Sequence, residues 1–216
     1  ATNWDVGQSF PGFVGLLPSS GLLACDRRGD GLMADPTLIE LAAAALFSRG
    51  KECAVADRDW EGKHLLVTAG ATHEPIDQAR VITNRSTGQM GVLLAQVARL
   101  RGATVQLVHG PLSVPEAWCE GVACIPVTTA DDMQRVLADH QPSMDAIAMV
   151  AAVADLRRVE SSEIKVSKHQ LPELLATGWS QVPDLLAALS RRRPHGQTLL
   201  GFAALAGEDA ALIAKG

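Results

Sequence analysis

Short apolar runs and amphipathic segments alternate along most of the chain. Five apolar runs have the length of buried strands, at 64–69, 103–109, 122–127, 145–152 and 197–203. Between them, three segments carry apolar residues at the 3.6-residue spacing of a helix, at 88–101, 130–139 and 183–192. Strands separated by helices are typical of a parallel sheet covered on both faces. We therefore predict a Rossmann-like, three-layer α/β domain with a mostly parallel sheet.

The first 50 residues depart from this pattern, because they are rich in glycine and proline. They end in one helical run, 36–47, for which Asp35 is a suitable N-cap and Pro36 a suitable first helical residue. The polar stretch that follows is predicted to be a linker. The sequence thus predicts three parts, an N-terminal segment at 1–50, a linker at 51–63 and the α/β domain at 64–216.

Composition and charge narrow the function classes. A net charge of −5 and an aromatic content of 4%, without any Tyr, argue against a nucleic-acid-binding surface. The chain has no run of about 18 apolar residues, so we expect a cytoplasmic protein without a membrane partner. In that reducing compartment the four cysteines are expected to be buried free thiols without a zinc site, at Cys25, Cys53, Cys119 and Cys124.

A long polar stretch separates the first apolar run of the α/β domain from its first helix. The strand ends near Gly70 and the helix begins near Gly88, whereas βα connections usually have about 2–6 residues. Free N–H groups and the dipole at a helix N-terminus favour a bound anion. Because a long loop in a compact domain is usually functional, we predict a phosphate-binding site here. A solvated surface loop is the alternative interpretation.

A second group of candidate residues follows the apolar run 145–152. The small residues Ala151 and Ala152 allow a ligand to approach the backbone at the end of a buried strand, where open α/β sheets bind ligands. Asp155 comes next, although an aspartate there also suits a turn or an N-cap. Lys165 and Lys168 can reach a triphosphate as point charges, although two spaced lysines usually form a solvated face.

The stretch VTAGATHEPIDQARVITNRSTGQMG resembles the signature of the phosphopantothenate–cysteine ligases, which form the second half of a bifunctional coenzyme A biosynthesis flavoprotein. Nearly every defined position of that signature is matched, and His73 and Gln89 are departures from it. Four later segments are also similar to the family: AAVADLRR, the lysine pair in KVSK, VPDL with Val182 in place of Asn, and GFAA followed by Leu205 in place of Glu.

The resemblance implies a CTP-dependent ligation of 4'-phosphopantothenate with cysteine in coenzyme A biosynthesis. The carboxylate attacks the α-phosphate of CTP to give an acyl-cytidylate, and the cysteine amine then displaces CMP. Asn84 would handle the acyl-cytidylate, and Lys165 with Mg²⁺ would neutralise the triphosphate. The resemblance assigns these residues to the nucleotide site: Gly70, Ala71, Thr72, Asp77, Ser86, Thr87, Gly88, Val150, Ala151, Ala152, Asp155, Lys165, Lys168, Val182, Pro183, Asp184, Leu185, Phe202 and Lys215.

The resemblance also implies a homodimer with Arg80 at the subunit contact. In the N-terminal segment, LPSSGLLACD is similar to the substrate clamp of the phosphopantothenoylcysteine decarboxylases, in which Cys25 would be the proton-donating cysteine. By its chemistry alone, Cys25 is more simply an inert loop thiol. The family's FMN site and catalytic histidine lie upstream of this segment. We therefore expect FMN only through that upstream domain, and no decarboxylation by this chain alone.

Two other functions stay open from the sequence. The family continues past Gly216, so we expect the α/β domain to be C-terminally incomplete, and the chain could be a non-catalytic fragment that binds nucleotide or dimerises. An NAD(P)-dependent Rossmann enzyme is disfavoured, because no G-x-G-x-x-G sequence follows the first strand.

Overall fold

The computed structural model describes residues 16, 18–22, 27–47 and 59–203. Its first elements are an antiparallel hairpin, β1 (Ser19–Leu22) and β2 (Arg28–Leu32), and helix α1 (Pro36–Phe47). The Asp35 carboxylate accepts the N–H of Thr37 at 2.9 Å, which confirms the predicted N-cap. The hairpin was not predicted, because its glycine-rich strands lack the alternation by which strands are recognised.

The other elements follow in chain order: β3 (His64–Ala69), β4 (His73–Asp77), β5 (Arg80–Thr83), α2 (Gln89–Leu100), β6 (Thr104–His109), β7 (Ala123–Pro126), α3 (Ala130–His140), β8 (Ala146–Met149), β9 (Leu156–Arg158), α4 (Leu171–Ala176), β10 (Trp179–Gln181), α5 (Leu185–Arg191) and β11 (Thr198–Gly201). The predicted strands and helices are all present: two match to the residue, one is a residue longer, and six are one to four residues shorter than predicted. The strand predicted at 145–152 differs most, because β8 ends at Met149.

Five strands form a parallel sheet in the spatial order β7-β6-β3-β8-β11. The chain starts this sheet at the central β3, extends it on one side with β6 and β7, and then returns to the other side for β8 and β11. The direction of winding therefore reverses between β3 and β8. Doubly wound sheets bind their ligands at this switch point, beyond the carboxyl ends of the strands.

The side chains of β3 alternate between two cores, as the two-residue period of a strand requires. Leu65 and Val67 pack with Val92 and Ala95 of α2 on one face of the sheet. On the other face, Leu66 belongs to a cluster formed with α3 and α5, which includes Met133, Leu137, Leu185 and Leu189. The predicted three-layer α/β architecture is confirmed, with β3 buried between the two helical layers.

The stretch between β3 and α2 is not the open polar loop that the sequence predicts. Its middle folds into the antiparallel hairpin β4–β5, in which Glu74 pairs with Ile82. The polar side chains Glu74 and Asp77 are buried, so their strand lacks the apolar pattern by which it could have been recognised. A second antiparallel hairpin, β9–β10, follows the end of β8.

Three further predictions concern the linker, the cysteines and membrane-spanning helices. Of the predicted linker 51–63, residues 51–58 lie outside the described residues, and 59–62 form a turn before β3. The prediction of buried thiols is wrong for Cys124, which is exposed because β7 is the edge strand of the sheet. Cys25 and Cys53 lie outside the described residues. Within the described ranges, no helix is both long and apolar enough to cross a membrane.

Candidate functional site

The backbone beyond β3 is tied directly to the backbone beyond β8 at the switch point. The N–H of Ala152 donates to the carbonyl oxygen of Gly70 at 2.8 Å, and the N–H of Thr72 donates to that of Ala152 at 3.3 Å. Ala71 and Ala152 form an isolated parallel bridge. Residues that the sequence assigns to two separate segments thus meet at one edge of the sheet.

Two fully buried threonines hold the segment that follows β8. The Thr68 hydroxyl accepts the N–H groups of Val150 and Ala151, each at 3.0 Å. The Thr72 hydroxyl accepts the N–H of Ala154 at 3.0 Å. These bonds take the backbone after Met149 out of the strand ladder, which explains why β8 is shorter than predicted. The sequence prediction included Thr72 but missed Thr68, although a hydroxyl at the end of the apolar run LLV was a visible signal.

Asn84 reaches the same segment from the end of the β4–β5 hairpin. Its side-chain amide donates to the carbonyl oxygen of Val153 at 3.0 Å and, more weakly, to that of Ala152 at 3.4 Å. The Thr83 hydroxyl donates to the carbonyl oxygen of Thr72 at 2.9 Å. Because Asn84 is exposed, its amide is both fixed at the switch point and open to solvent.

The N-terminus of α2 lies against the end of β3. Gly88 is the N-cap residue and has φ of 82°, in the left-handed region. A Cβ there would lie 2.2 Å from Leu112 Cδ2 and 3.1 Å from the backbone nitrogen of Gly70, so the close approach requires glycine. The hydroxyls of Ser86 and Thr87 accept the N–H groups of Gly88 and Gln89, each at 3.3 Å. The first turn of α2 carries no acidic residue, which leaves its positive end suited to an anion.

A cleft of about 430 Å³ opens beside this edge of the sheet. The predicted site residues that line it are Ala151, Asp155, Val182, Pro183, Asp184, Leu185 and Phe202. Its lining also includes residues that were not assigned to the nucleotide site from the sequence, Met149, Val153, Ala154, Leu156, Gln181, Leu186 and Gly201. These positions are neutral in type, so the sequence carried no chemical signal for them.

Backbone hydrogen bonds fix the walls of this cleft. The N–H of Val182 donates to the carbonyl oxygen of Asp155 at 2.9 Å, and the N–H of Phe202 to that of Met149 at 3.1 Å. The Asp184 carboxylate caps α5 by accepting the N–H of Ala187 at 2.8 Å. The Phe202 side chain stays 48% exposed, so an aromatic surface is available inside the cleft.

Asp77 and Arg80 hold the lysine-containing segment. The Asp77 carboxylate is buried and accepts a hydrogen bond from Arg80 Nη1 at 2.5 Å and from the N–H of Val166 at 3.1 Å. Arg80 Nη1 also donates to the carbonyl oxygen of Val166 at 3.3 Å. Burial alone would raise the pKa of Asp77, but the N–H groups of Ala79 and Val166 and the charge of Arg80 outweigh it, and the pKa is lowered.

The two lysines lie on either side of Val166, which Asp77 and Arg80 hold, and neither lines the 430 Å³ cleft. Lys165 lines a second cleft of about 490 Å³, together with Arg158, Ser162, Gln170 and Glu173 among others. Lys165 and Lys168 are both exposed. The structure thus places the lysine pair on a segment anchored to the hairpin, apart from the residues that line the 430 Å³ cleft. Two further predicted residues, Cys25 and Lys215, lie outside the described residues.

Glu74 is a buried residue of the hairpin whose role the sequence prediction missed. Its carboxylate accepts the N–H of Ala130, at the first residue of α3, at 2.8 Å. A negative group at a helix N-terminus is favourable, so Glu74 fixes the hairpin against α3.

The order of the sheet and the cleft beside its point of reversal define a class of protein, the doubly wound α/β proteins that bind a ligand at the switch point. A family model, described as the C-terminal domain of the DNA/pantothenate metabolism flavoprotein, matches residues 60–215. The chain belongs to this family.

Known relatives agree with this assignment. The chain is 37% identical over 208 residues to the coenzyme A biosynthesis bifunctional protein CoaBC of Mycobacterium bovis, covering 91% of the chain and 47% of the relative. It is 35% identical over 194 residues to CoaBC of Bacillus subtilis, covering 89% of the chain and 45% of the relative. The chain therefore spans about half the length of these relatives.

A solved structure gives the same result for the fold. The crystal structure of the C-terminal domain of CoaBC matches with a TM-score of 0.60 and 32% sequence identity, over 74% of this chain and 73% of that chain. The match therefore covers most of the α/β domain rather than an isolated motif.

Proposed function

We propose that this chain binds CTP at the switch point and ligates 4'-phosphopantothenate with cysteine to give phosphopantothenoylcysteine, CMP and pyrophosphate. The observation that carries the proposal is the meeting of Gly70, Ala152 and Asn84 at one edge of the sheet. These residues come from distant parts of the sequence. Their convergence beside a cleft supports a single nucleotide site built from the segments that resemble the ligase family.

The nucleotide would lie across the carboxyl edge of the sheet. The N-terminus of α2 at Gly88 suits the phosphates, because its N–H groups and dipole favour negative charge. The exposed ring of Phe202 suits the base, since aromatic side chains stack on nucleobases. Asp155 at the cleft provides an exposed carboxylate, the kind of group with which proteins hold Mg²⁺ bound to substrate phosphates.

The first chemical step needs charge neutralisation more than covalent help. When the phosphopantothenate carboxylate attacks the α-phosphate of CTP, pyrophosphate leaves with its negative charge, and catalysis of phosphoryl transfer depends on positioning and electrostatics. Lys165 and Lys168 would supply positive charge from the segment that Asp77 and Arg80 anchor at Val166. Because the lysines lie beside a separate cleft, the proposal requires this segment to approach the bound nucleotide.

The second step needs a donor for a developing oxyanion. The cysteine amine attacks the acyl carbon of the acyl-cytidylate, and a tetrahedral intermediate forms before CMP leaves. The Asn84 amide has two N–H donors. Its bond to the carbonyl oxygen of Val153 at 3.0 Å would hold it at the sheet edge, and the N–H that is only weakly bound to the carbonyl oxygen of Ala152, at 3.4 Å, would turn to the oxyanion. Loss of one oxyanion donor typically costs about 2.7–4 kcal/mol of transition-state stabilisation.

We further propose that the protein acts in the cytoplasm as a homodimer formed through the α/β domain, with Arg80 near the contact. Arg80 also pairs with Asp77 in its own chain, so removal of its side chain would loosen both features. Sedimentation of the wild type should give the mass of a dimer, and R80A should shift the distribution toward monomer. A wild type that is monomeric at high concentration would remove this part of the proposal.

Thermal unfolding with nucleotides tests the ligand. A ligand that binds only the native state at a hundredfold excess over its Kd stabilises it by about 2.7 kcal/mol, which corresponds to a midpoint rise of roughly 5–11 °C for a domain of this size. CTP with Mg²⁺ should give such a rise, ATP a smaller one, and NADH or FMN none. Lys165→Ala should reduce the CTP effect. Lys63→Ala is the matched control, because Lys63 precedes β3 at the opposite edge of the sheet.

Turnover of CTP with phosphopantothenate and cysteine tests the reaction separately. Asn84→Asp should retain the CTP-dependent midpoint rise and lose product release, with acyl-cytidylate accumulating. Product release at the wild-type rate in Asn84→Asp would exclude the proposed role of Asn84. A CTP-dependent rise without turnover in the wild type would favour a nucleotide-binding, non-catalytic fragment. A rise with NADH but not CTP would overturn the ligase proposal in favour of a dehydrogenase.

A further inference from the structure

Three ionisable side chains, those of His109, Cys119 and Cys124, form a cluster at the β6–β7 edge of the sheet, outside the proposed nucleotide site. In the parallel register of these strands Leu107 pairs with Cys124. His109 is two residues beyond Leu107, so its side chain lies on the same face of the sheet as Cys124. Cys119, at the end of a 3₁₀ turn, packs against the core cluster to which Leu107 belongs, on that same face, and it interacts with Cys124, as His109 does. Two thiols and an imidazole thus meet on one face.

The position of Cys119 is fixed by the helix beneath it. The buried side-chain amide of Gln96 donates to the carbonyl oxygens of Trp118 at 2.6 Å and Glu120 at 2.9 Å, the two neighbours of Cys119. The N–H of Val122 donates to the carbonyl oxygen of Cys119 at 3.2 Å, which closes the turn toward β7. Cys119 is half-buried and Cys124 is exposed. The turn that carries Cys119 is therefore held in place, and Cys124 is the more exposed of the two residues.

The two thiols differ in their acidity. Hydrogen bonds from Cys119 and His109 lower the pKa of Cys124 to about 5, against the opposing effect of burial. The hydrogen bond with Cys124 and burial raise the pKa of Cys119, and the nearby carboxylate of Glu116 adds to this. The hydrogen bond with Cys124 raises the pKa of His109. At neutral pH the exposed sulfur is therefore a thiolate and the half-buried sulfur a protonated thiol.

We propose that Cys124 is a thiol modification site that attacks low-molecular-weight disulfides, and that Cys119 then resolves the resulting mixed disulfide. In the first step the Cys124 thiolate bonds to one sulfur of the disulfide, and the other sulfur leaves and takes a proton from the His109 imidazolium. In the second step the Cys119 sulfur bonds to the Cys124 sulfur, the mixed disulfide bond breaks, and the second small thiolate leaves and takes up the proton that Cys119 loses. Two electrons and two protons pass from the protein to the small disulfide, which becomes two thiols.

The proposal predicts an unusual pH dependence rather than a high rate at neutral pH. An ordinary thiol has a pKa of about 8.5, so at pH 7 only about 3% of it is ionised. The intrinsic reactivity of a thiolate falls as its pKa falls, with a Brønsted coefficient of about 0.4–0.5. These effects nearly cancel at pH 7. At about pH 5, however, the thiolate fraction of Cys124 exceeds that of an ordinary thiol by more than its lower intrinsic reactivity offsets. Cys124 should therefore react about 40-fold faster than an ordinary thiol at that pH.

Alkylation and peptide mapping test the first step on the full chain. Reduced protein is treated with iodoacetamide between about pH 4 and pH 9, and the tryptic peptide covering 102–135, which contains Cys119 and Cys124 but not Cys25 or Cys53, is followed by mass spectrometry. Cys124 should reach half-maximal alkylation near pH 5. His109→Gln should move the profile toward alkaline pH. A half-maximal value near about 8.5 for wild-type Cys124 would overturn the proposal.

Treatment with 2-hydroxyethyl disulfide tests the resolving step. In the wild type the 102–135 peptide should lose two hydrogen atoms in mass, and cleavage after Glu120 should leave the fragment with Cys119 joined to the fragment with Cys124 until a reductant is added. Cys119→Ser should stop at the mixed disulfide on Cys124, and Cys124→Ser should leave this peptide unmodified at about pH 5. A wild type that retains the mixed disulfide, or a Cys124→Ser variant that reacts as fast as wild type, would refute the assigned roles.

Discussion

Replacement of Thr68 by valine should loosen the switch point without creating a cavity. Valine and threonine have nearly the same shape, so the change removes one hydroxyl and little else. That hydroxyl accepts the N–H groups of Val150 and Ala151, each at 3.0 Å, and Thr68 itself is fully buried. Thr68→Val therefore leaves two backbone donors without the partner that the fold provides.

The expected cost follows from the exposure of those two donors. A buried donor left without a partner costs about 1–3 kcal/mol. Val150 and Ala151 are only partly buried, so water can reach them, and the lower end of the range applies to each. The free energy of unfolding should fall by about 2 kcal/mol in total. For a domain of this size the unfolding midpoint should fall by roughly 4–8 °C.

Calorimetry or fluorescence-monitored unfolding of the wild type, Thr68→Val and Thr198→Val measures this effect. Thr198→Val is the matched control, because Thr198 is a strand residue of the same sheet whose side chain is exposed. CTP titration of Thr68→Val should in addition show weaker binding, since the segment after β8 is part of the proposed site. Equal midpoints for Thr68→Val and Thr198→Val would refute the view that this hydroxyl holds the segment.

Two further predictions concern steric fit and charge. Gly110→Ala should lower the free energy of unfolding by about 2–3 kcal/mol in a urea titration, because its Cβ would lie 1.9 Å from the Ala71 carbonyl oxygen. In the control Gly196→Ala the Cβ meets no atom within 4 Å, so the free energy of unfolding should fall by only about 1 kcal/mol, the cost of the left-handed backbone. Equal losses in the two variants would contradict the steric argument. The lowered pKa of Asp77 means that its stabilising effect is present above its unfolded pKa of about 3.9 and is lost as the pH falls through its lower folded value. Wild type should therefore lose its stability advantage over Asp77→Asn below about pH 4, and parallel curves for the two proteins would exclude the contribution.

The periodicity of the chain was sufficient to predict the central sheet but not its attachments. The strand at 64–69 was predicted to the residue, because its apolar side chains supply both cores and the pattern is continuous. The β4–β5 hairpin was missed because Glu74 and Asp77 are buried polar residues whose hydrogen-bond donors lie in other parts of the chain. Local patterns do not report a side chain whose partner is distant in sequence.

The candidate site was predicted as two sets of residues, and the structure supplied their relation. The motif residues Gly70 and Ala152 were named from the sequence, but their direct backbone contact depends on the order of strands, which no local pattern contains. The environment of the two thiols also depends on the order of strands. Cys119 and Cys124 were expected to be buried free thiols, because the sequence does not reveal that β7 is an edge strand with His109 beside it.

Side chains of the β4–β5 hairpin and of Asn84 at its end bind three other parts of the chain, and this has a consequence for how the site opens. Glu74 binds the start of α3, Asp77 binds Val166, and Asn84 binds the segment after β8. Since one hairpin carries all three, its detachment would release them together as one cooperative unit. The helix start, the lysine segment and the Asn84 amide would then share a single local opening free energy. A change that weakens one attachment would raise the open population of the whole site, including parts that it never touches.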